Sequence, residues 1–263
     1  MRGAAIAGVL ALAAAPAFAR EAENDWDIIV DESRQMTLAV AAYSSGQTIA
    51  VRCRSAELDV LISGLPPFEG LSRYVEATFS DGRVEDANWF TGGDGSMVFS
   101  PVPRIDARRL RQGGALQLSV AVAPEPESPF RRYAFDLPAE SANLDQVLDA
   151  CGAGQPDPRE AMVRWRAPPG SAPNFWRRMP TPQFPEAAAA AGLDSAAAAF
   201  SCVVAEAGRL TDCRVERESA HRRYGFGQSA LRALRDARVI LAEEGGPEPG
   251  RLVVVVVRFQ ITS

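Results

Sequence analysis

The chain has 263 residues, 47% of them apolar, with 28 basic and 33 acidic side chains and a formal net charge of −5. That length and apolar content suit two domains of about a hundred residues each, or one larger one. Every basic residue is Arg, spread along the chain and offset by Asp and Glu, which argues against a nucleic-acid-binding face.

Residues 1–19 read as a secretory signal peptide. Arg2 gives the positive start, residues 4–15 the apolar core, and Ala17-Phe18-Ala19 the cleavage site. The apolar run is shorter than the ~20 residues of a spanning helix, so an exported, periplasmic chain without a stable membrane span is expected. Four cysteines in such a chain should be oxidised. Three pairings exist, and the domain boundaries favour Cys53 with Cys151 and Cys202 with Cys213. Separated thiols and the single His221 lack zinc-ligand spacing. No metal and no cofactor are expected.

Residues 26–152 carry short alternating segments at 36–43, 48–54, 57–65, 73–80, 88–90, 96–99, 115–122 and 131–136, with Gly and Pro between them. This spacing predicts an all-β domain, sandwich-like or a meander. Two helices interrupt it. The one at 105–111 carries Arg108, Arg109 and Arg111, read as a solvated face. The other, at 141–151, has Ser141 as N-cap, Leu144, Val147 and Leu148 on one face, and Gly152 as stop. Asp94-Gly95 reads as a turn, because no alternating carboxylates follow to make a metal loop.

The series Arg52-Cys53, Trp89 with Asp94-Gly95-Ser96 and Phe99, residues 115–120, Phe135-Asp136-Leu137 and residues 144–151 resembles the periplasmic module of VasI-like, type VI secretion-associated proteins. It is more distantly similar to invasion-associated locus B proteins. The resemblance implies an envelope-associated module without established chemistry. Residues 153–179 are rich in Pro, Gly and Ala, as linkers are. Trp165 and Trp176 within them are read as packing on one of the domains or forming part of a binding surface.

Residues 180–263 predict a small α+β domain. Pro185 opens a helix that stops at Gly192. A hairpin over 200–215 turns at Glu206–Gly208 and sets Cys202 against Cys213. A helix over 228–237 follows Tyr224-Gly225-Phe226-Gly227, with Phe226, Ala230, Leu231 and Leu234 on one face. A turn at 245–250 leads to a last strand at 252–261, making a three-stranded antiparallel sheet. The motifs at 182–192, 208–215, 225–231 and 247–259 resemble the C-terminal domain of TonB-family energy transducers. That resemblance implies a noncatalytic domain whose sheet edge takes up a short peptide from an outer-membrane receptor. By position the edge would be Val253, Val254, Val255, Val256, Val257, Arg258 and Phe259. The same valines would equally fill a two-sided core, since edge pairing uses backbone.

The chain departs from that family in its cleavable signal and in the β domain that stands where the family has a long spacer. Direct energy transduction is therefore not expected. The reading is a periplasmic adaptor for a protein or peptide of the cell envelope. The alternative is a structural or secretion-associated component docking through the first domain. Edge pairing with a second copy would give a homodimer. Catalysis is not expected. His221, Ser219 and Asp212 come without a strained nucleophile turn, and Glu243-Glu244 flank a solvated turn.

Overall fold

The computed structural model describes residues 25–125, 128–166, 176–219 and 222–261. The signal segment 1–19 and His221 lie outside them. Strands β1 (Asp27–Asp31), β2 (Met36–Ala42), β3 (Thr48–Arg54), β4 (Glu57–Ser63), β5 (Ser72–Phe79), β6 (Val84–Gly92), β7 (Met97–Phe99), β8 (Gly114–Ala121) and β9 (Phe130–Leu137) form one antiparallel sheet. Its order is β1-β2-β3-β4-β7-β6-β5-β8-β9. The alternation that predicts the strands also fixes their faces. In β5, Val75, Ala77 and Phe79 point into the core, while Ser72, Tyr74 and Glu76 stay half-buried on the outer side.

The all-β expectation holds, and in place of a two-layer sandwich the chain makes a single nine-stranded sheet, meander-like from β1 to β4, that bends around one core. Val51 of β3, Val75 of β5 and Leu118 of β8 belong to the same buried cluster. The two ends of the sheet approach each other: the Tyr43 ring lies 4.6 Å from that of Phe135, and its hydroxyl donates to the Asp136 carbonyl.

Helix α1 (Pro103–Leu110) and helix α2 (Ala142–Ala150) complete this unit. Helix α2 buries Leu144, Val147 and Leu148, as its periodicity requires. Its cap differs from expectation. The Ser141 side chain makes no capping bond; the Asp25 carboxylate accepts from the Asn143 N–H instead, at 3.1 Å. The Cys53–Cys151 disulfide joins β3 to the end of α2 across 98 residues of chain. A loop of that length is worth about 5 kcal/mol in the chain-entropy model.

The remaining residues build β10 (Trp176–Arg178), α3 (Glu186–Ala190), β11 (Ser195–Val204), β12 (Leu210–Glu218), α4 (Phe226–Leu234), β13 (Arg238–Val239) and β14 (Leu252–Gln260). Strands β12, β11 and β14, in that order, form the expected three-stranded antiparallel sheet, and β10 pairs with β13. Helix α4 lays Phe226, Ala230 and Leu234 on the small sheet. The Cys202–Cys213 disulfide spans the β11–β12 hairpin with Cα atoms 4.1 Å apart. The register shifts between Ser201 and Val203, where Asp212 takes a positive φ. This bulge puts an extra residue on β12 and turns the Asp212 carboxylate towards Arg159.

The two sheets pack on each other. On one face of β11, Ala198, Phe200 and Cys202 meet α4 and the alternate residues of β14. On the other, Ala197 and Ala199 pack with Val256 against Phe90 and Phe99 of the large sheet. Polar groups are embedded in this contact. Asp59 of β4 accepts from Arg52 of β3 and from Arg217 of β12. The Arg217 guanidinium lies 4.5 Å from the Phe99 ring centre. Burial, with Arg52 close by, pushes its pKa down to about 10, so it remains a cation at neutral pH.

The first half of the Pro-rich segment is part of the same contact. Residues Pro158–Ala161 form a short helical turn capped at both ends of an Asp157/Glu160 box. Arg159, 4% exposed, bonds the Ser201 carbonyl at 3.0 Å and the Asp212 carboxylate at 3.2 Å. Arg108 and Arg109 are not the solvated face that the sequence suggests. Glu160 lies 2.5 Å from the Arg108 guanidinium, and Glu85 lies 3.9 Å from that of Arg109, which is buried.

A buried carboxylate between two arginines predicts a specific energetic pattern. Asp59→Ala removes the carboxylate bonded directly to Arg217 and should cost about 3–5 kcal/mol. The double variant Asp59→Ala/Arg217→Met should be less destabilised than Asp59→Ala alone in urea unfolding. Additive losses would contradict the coupling.

Candidate functional site

Strand β14 lies at the edge of its three-stranded sheet, and among the described residues β11 is the one strand paired along its length. Its side chains divide by parity. Val253, Val255, Val257 and Phe259 are buried in the core under α4. Phe259 closes a ring cluster with Phe226 at 4.9 Å and Phe184 at 6.4 Å. Val254 and Val256 are half-buried towards the large sheet, and Arg258 is exposed. The run of valines thus fills a two-sided contact.

The backbone divides the same way. The Val204 N–H donates to the Arg251 carbonyl, and Cys202 pairs with Val253. Odd-numbered residues of β14 therefore exchange bonds with β11, and even-numbered residues turn their N–H and C=O outward. Leu252 is the first of these, and its outward groups are taken. Its N–H donates to the Val163 carbonyl at 3.1 Å, and its carbonyl accepts from the Trp165 N–H at 2.8 Å. The bridge between Arg164 and Leu252 is parallel. Beyond it, among the described residues, no strand lies along Val254, Val256, Arg258 and Gln260.

The outer side of β5 and β6 forms a floor beside this edge. Arg164 bonds the Glu85 carboxylate and the Asp86 carbonyl, each at 2.9 Å. Arg166 bonds Asp86 at 3.0 Å and Glu76 at 2.8 Å. At the far end Arg258 donates to the Ser72 hydroxyl. Tyr74 lies between, its hydroxyl on Asp86 at 2.9 Å and its ring edge-on to Phe130 at 5.7 Å. Burial and the Asp86 charge hold the Tyr74 hydroxyl protonated, well above its ordinary value.

The other residues that the sequence singles out do not assemble into a site. Ser219 accepts from the Ala197 N–H, at the start of β11, while Asp212 binds Arg159 near its other end. At 3.3 Å per strand residue that separation is roughly 15–20 Å, and no triad forms from them. Glu244 pairs with Arg177 at the surface. Asp94 forms the expected turn, accepting from the Ser96 N–H at 3.0 Å. Its neighbour Gly95, at φ +82°, has no room for a Cβ against the Phe68 backbone. Trp165 and Trp176 pack against the core of the small sheet.

Sequence reasoning missed the floor residues Ser72, Tyr74 and Phe130 and the strap residues Arg164 and Arg166. The one available signal was the Arg-Trp-Arg spacing inside an otherwise Pro-rich segment. It also missed Asp106 of α1, which is buried with its carboxylate on the Ser100 hydroxyl at 2.5 Å. Compared with known proteins, the chain matches no family model and no curated sequence. Among the described residues, no helix is long and apolar enough to cross a membrane.

Asp106 makes the region where the strap docks sensitive to pH. Burial raises its pKa from 3.8 to about 6, opposed by the Arg164 and Arg109 charges and the Ser100 hydroxyl, while Glu85 adds to the rise. The folded state therefore binds its proton more tightly than the unfolded chain. The associated stability is present in full below pH 4 and is lost as pH rises through about 6, to a total of about 3 kcal/mol. Unfolding measured from pH 4 to pH 7 should show this decline in the wild type and a flatter profile in Asp106→Asn. The same slope in both would contradict the assignment.

Proposed function

We propose that this chain is a noncatalytic, exported binding module of the cell envelope, which captures an extended segment of a partner protein by adding it as a strand to β14. The observation that carries this reading is the state of the edge. The outward groups of Leu252 already hold a parallel segment, and those of Val254 to Gln260 have no strand beside them among the described residues. An exposed edge of this kind presents a row of unpaired donors and acceptors, the physical basis of strand addition.

Other features support the same reading. The TonB-like motifs of residues 180–263 imply peptide capture at this strand. The leader-like residues 1–19 and two disulfides suit an oxidising compartment outside the cytoplasm. These features support periplasmic residence as part of the reading. Capture by strand addition needs neither cofactor nor energy source. An outer-membrane receptor is the partner implied by the resemblance, and a second copy of this chain is the competing occupant.

The test is photo-crosslinking in the producing cell from Gln260, which is exposed at the end of β14, against Asp149, exposed on α2. The expected result is a discrete envelope-protein adduct from Gln260 that Asp149 does not give. Identical adducts from both positions would overturn the proposal. A self-adduct from Gln260 alone would replace the envelope partner with a second copy.

A further inference from the structure

We propose that β14 and the outer side of β5 form one composite groove that reads an aromatic or branched apolar residue followed, two positions on, by a carboxylate held by Arg258. This deepens the strand-capture reading and rests on it. The strap shows how the groove is read. Residues two apart on a strand share a side, and Arg164 and Arg166 both reach the large sheet, at Glu85, Asp86 and Glu76. The alternate side chains of a segment on this edge therefore face the floor.

The floor changes character along the edge. Residues Glu76, Tyr74 and Ser72 follow one another at alternate positions of β5, paired with Asp86, Asn88 and Phe90 of β6. The acidic end at Glu76 and Asp86 is neutralised by Arg166. Next comes Tyr74 with the Phe130 ring, which is 49% exposed. Last comes Ser72, which Arg258 reaches from the opposite wall, beside Leu71 at 56% exposed.

Arg258 differs from the other two arginines of the groove. Its hydrogen bond is to a hydroxyl, and among the described residues it forms no ion pair, whereas Arg164 and Arg166 each bind carboxylates. A parallel strand continuing the Arg164 and Arg166 register would put its next floor-facing residue opposite Val256, over Tyr74. The one after it falls opposite Arg258, where a directly opposed carboxylate completes a cross-strand ion pair. The chain's own continuation is Ala167-Pro168-Pro169. The donor due to the Val256 carbonyl in that register falls on Pro169, which has no N–H. That lost bond disfavours the chain's own continuation, and the occupant we propose is a segment of a partner protein with the pattern apolar-x-acidic.

The experiment uses fluorescein-labelled polythreonine peptides with the full mature protein, read by anisotropy at low salt. One peptide carries Phe and, two positions on, Asp; its twin carries Lys in place of Asp. The Asp peptide should bind about three- to five-fold more tightly. Arg258→Gln should erase the difference, and Arg258→Glu should reverse it. N-methylation of alternate peptide amides should abolish binding of both peptides. Equal binding of the twins, with N-methylation still blocking both, overturns the role of Arg258 and leaves strand capture standing. Binding that survives N-methylation in both registers, or no binding of either peptide, overturns strand capture itself.

Discussion

Strand β11 has no face to give to solvent, and the rest of the molecule is arranged around that constraint. One face is closed by α4 and β14, the other by the large sheet. A central strand buried on both sides needs continuous apolar or small residues, and it needs neighbours that bury their second faces as well. Alanines at 197 and 199 let Phe90 and Phe99 come close from the large sheet. The small sheet is thereby clamped, with β12 held through Arg217 and the inward turn of Val254 and Val256 held on the other flank. What is left over, among the described residues, is the outer backbone of β14 beyond Leu252, together with the exposed side chains of Arg258 and Gln260.

The contact between the sheets is polar as well as apolar, and its polar part uses arginine for reasons of shape. Arg217 stacks on Phe99 while bonding Asp59, and Arg159 bonds a carbonyl, a hydroxyl and a carboxylate at once. A planar guanidinium with five donors can do this, and a lysine ammonium cannot. Such buried pairs add little net stability over well-packed apolar residues. They do oppose sliding, because a shifted sheet would leave several charges without partners. The register between β14 and the β5 floor, on which the groove depends, is fixed in this way.

Much of this was legible in the residues. The alternating segments of the large sheet, the faces of α2 and α4, the last strand and the pairing of four cysteines follow from local pattern and chain position. The failures have a common cause, which is that the deciding partner is distant in sequence. Arg108 looks solvated because Glu160 lies far along the chain. Ser141 looks like the cap of α2 because Asp25 is nowhere near it in sequence. Strand β1 is too short to show alternation. The alanines that begin β11 carry weak strand propensity, so the sequence placed only its second half; the large sheet on its other face makes the first half a strand. The β14 edge was named by resemblance, but the floor beside it belongs to β5 and needed the folded chain.

The central claim is that β14 is bonded on one side and that, among the described residues, its other side carries no strand beyond Leu252. Amide hydrogen exchange of the protein, resolved residue by residue by NMR, tests it most directly. The account predicts an alternation along the strand: slow exchange at Val253, Val255, Val257 and Phe259, and fast exchange at Val254, Val256, Arg258 and Gln260, with Leu252 slow because the strap covers it. Uniform protection from Leu252 to Gln260 would mean that the edge is already occupied and would contradict the account.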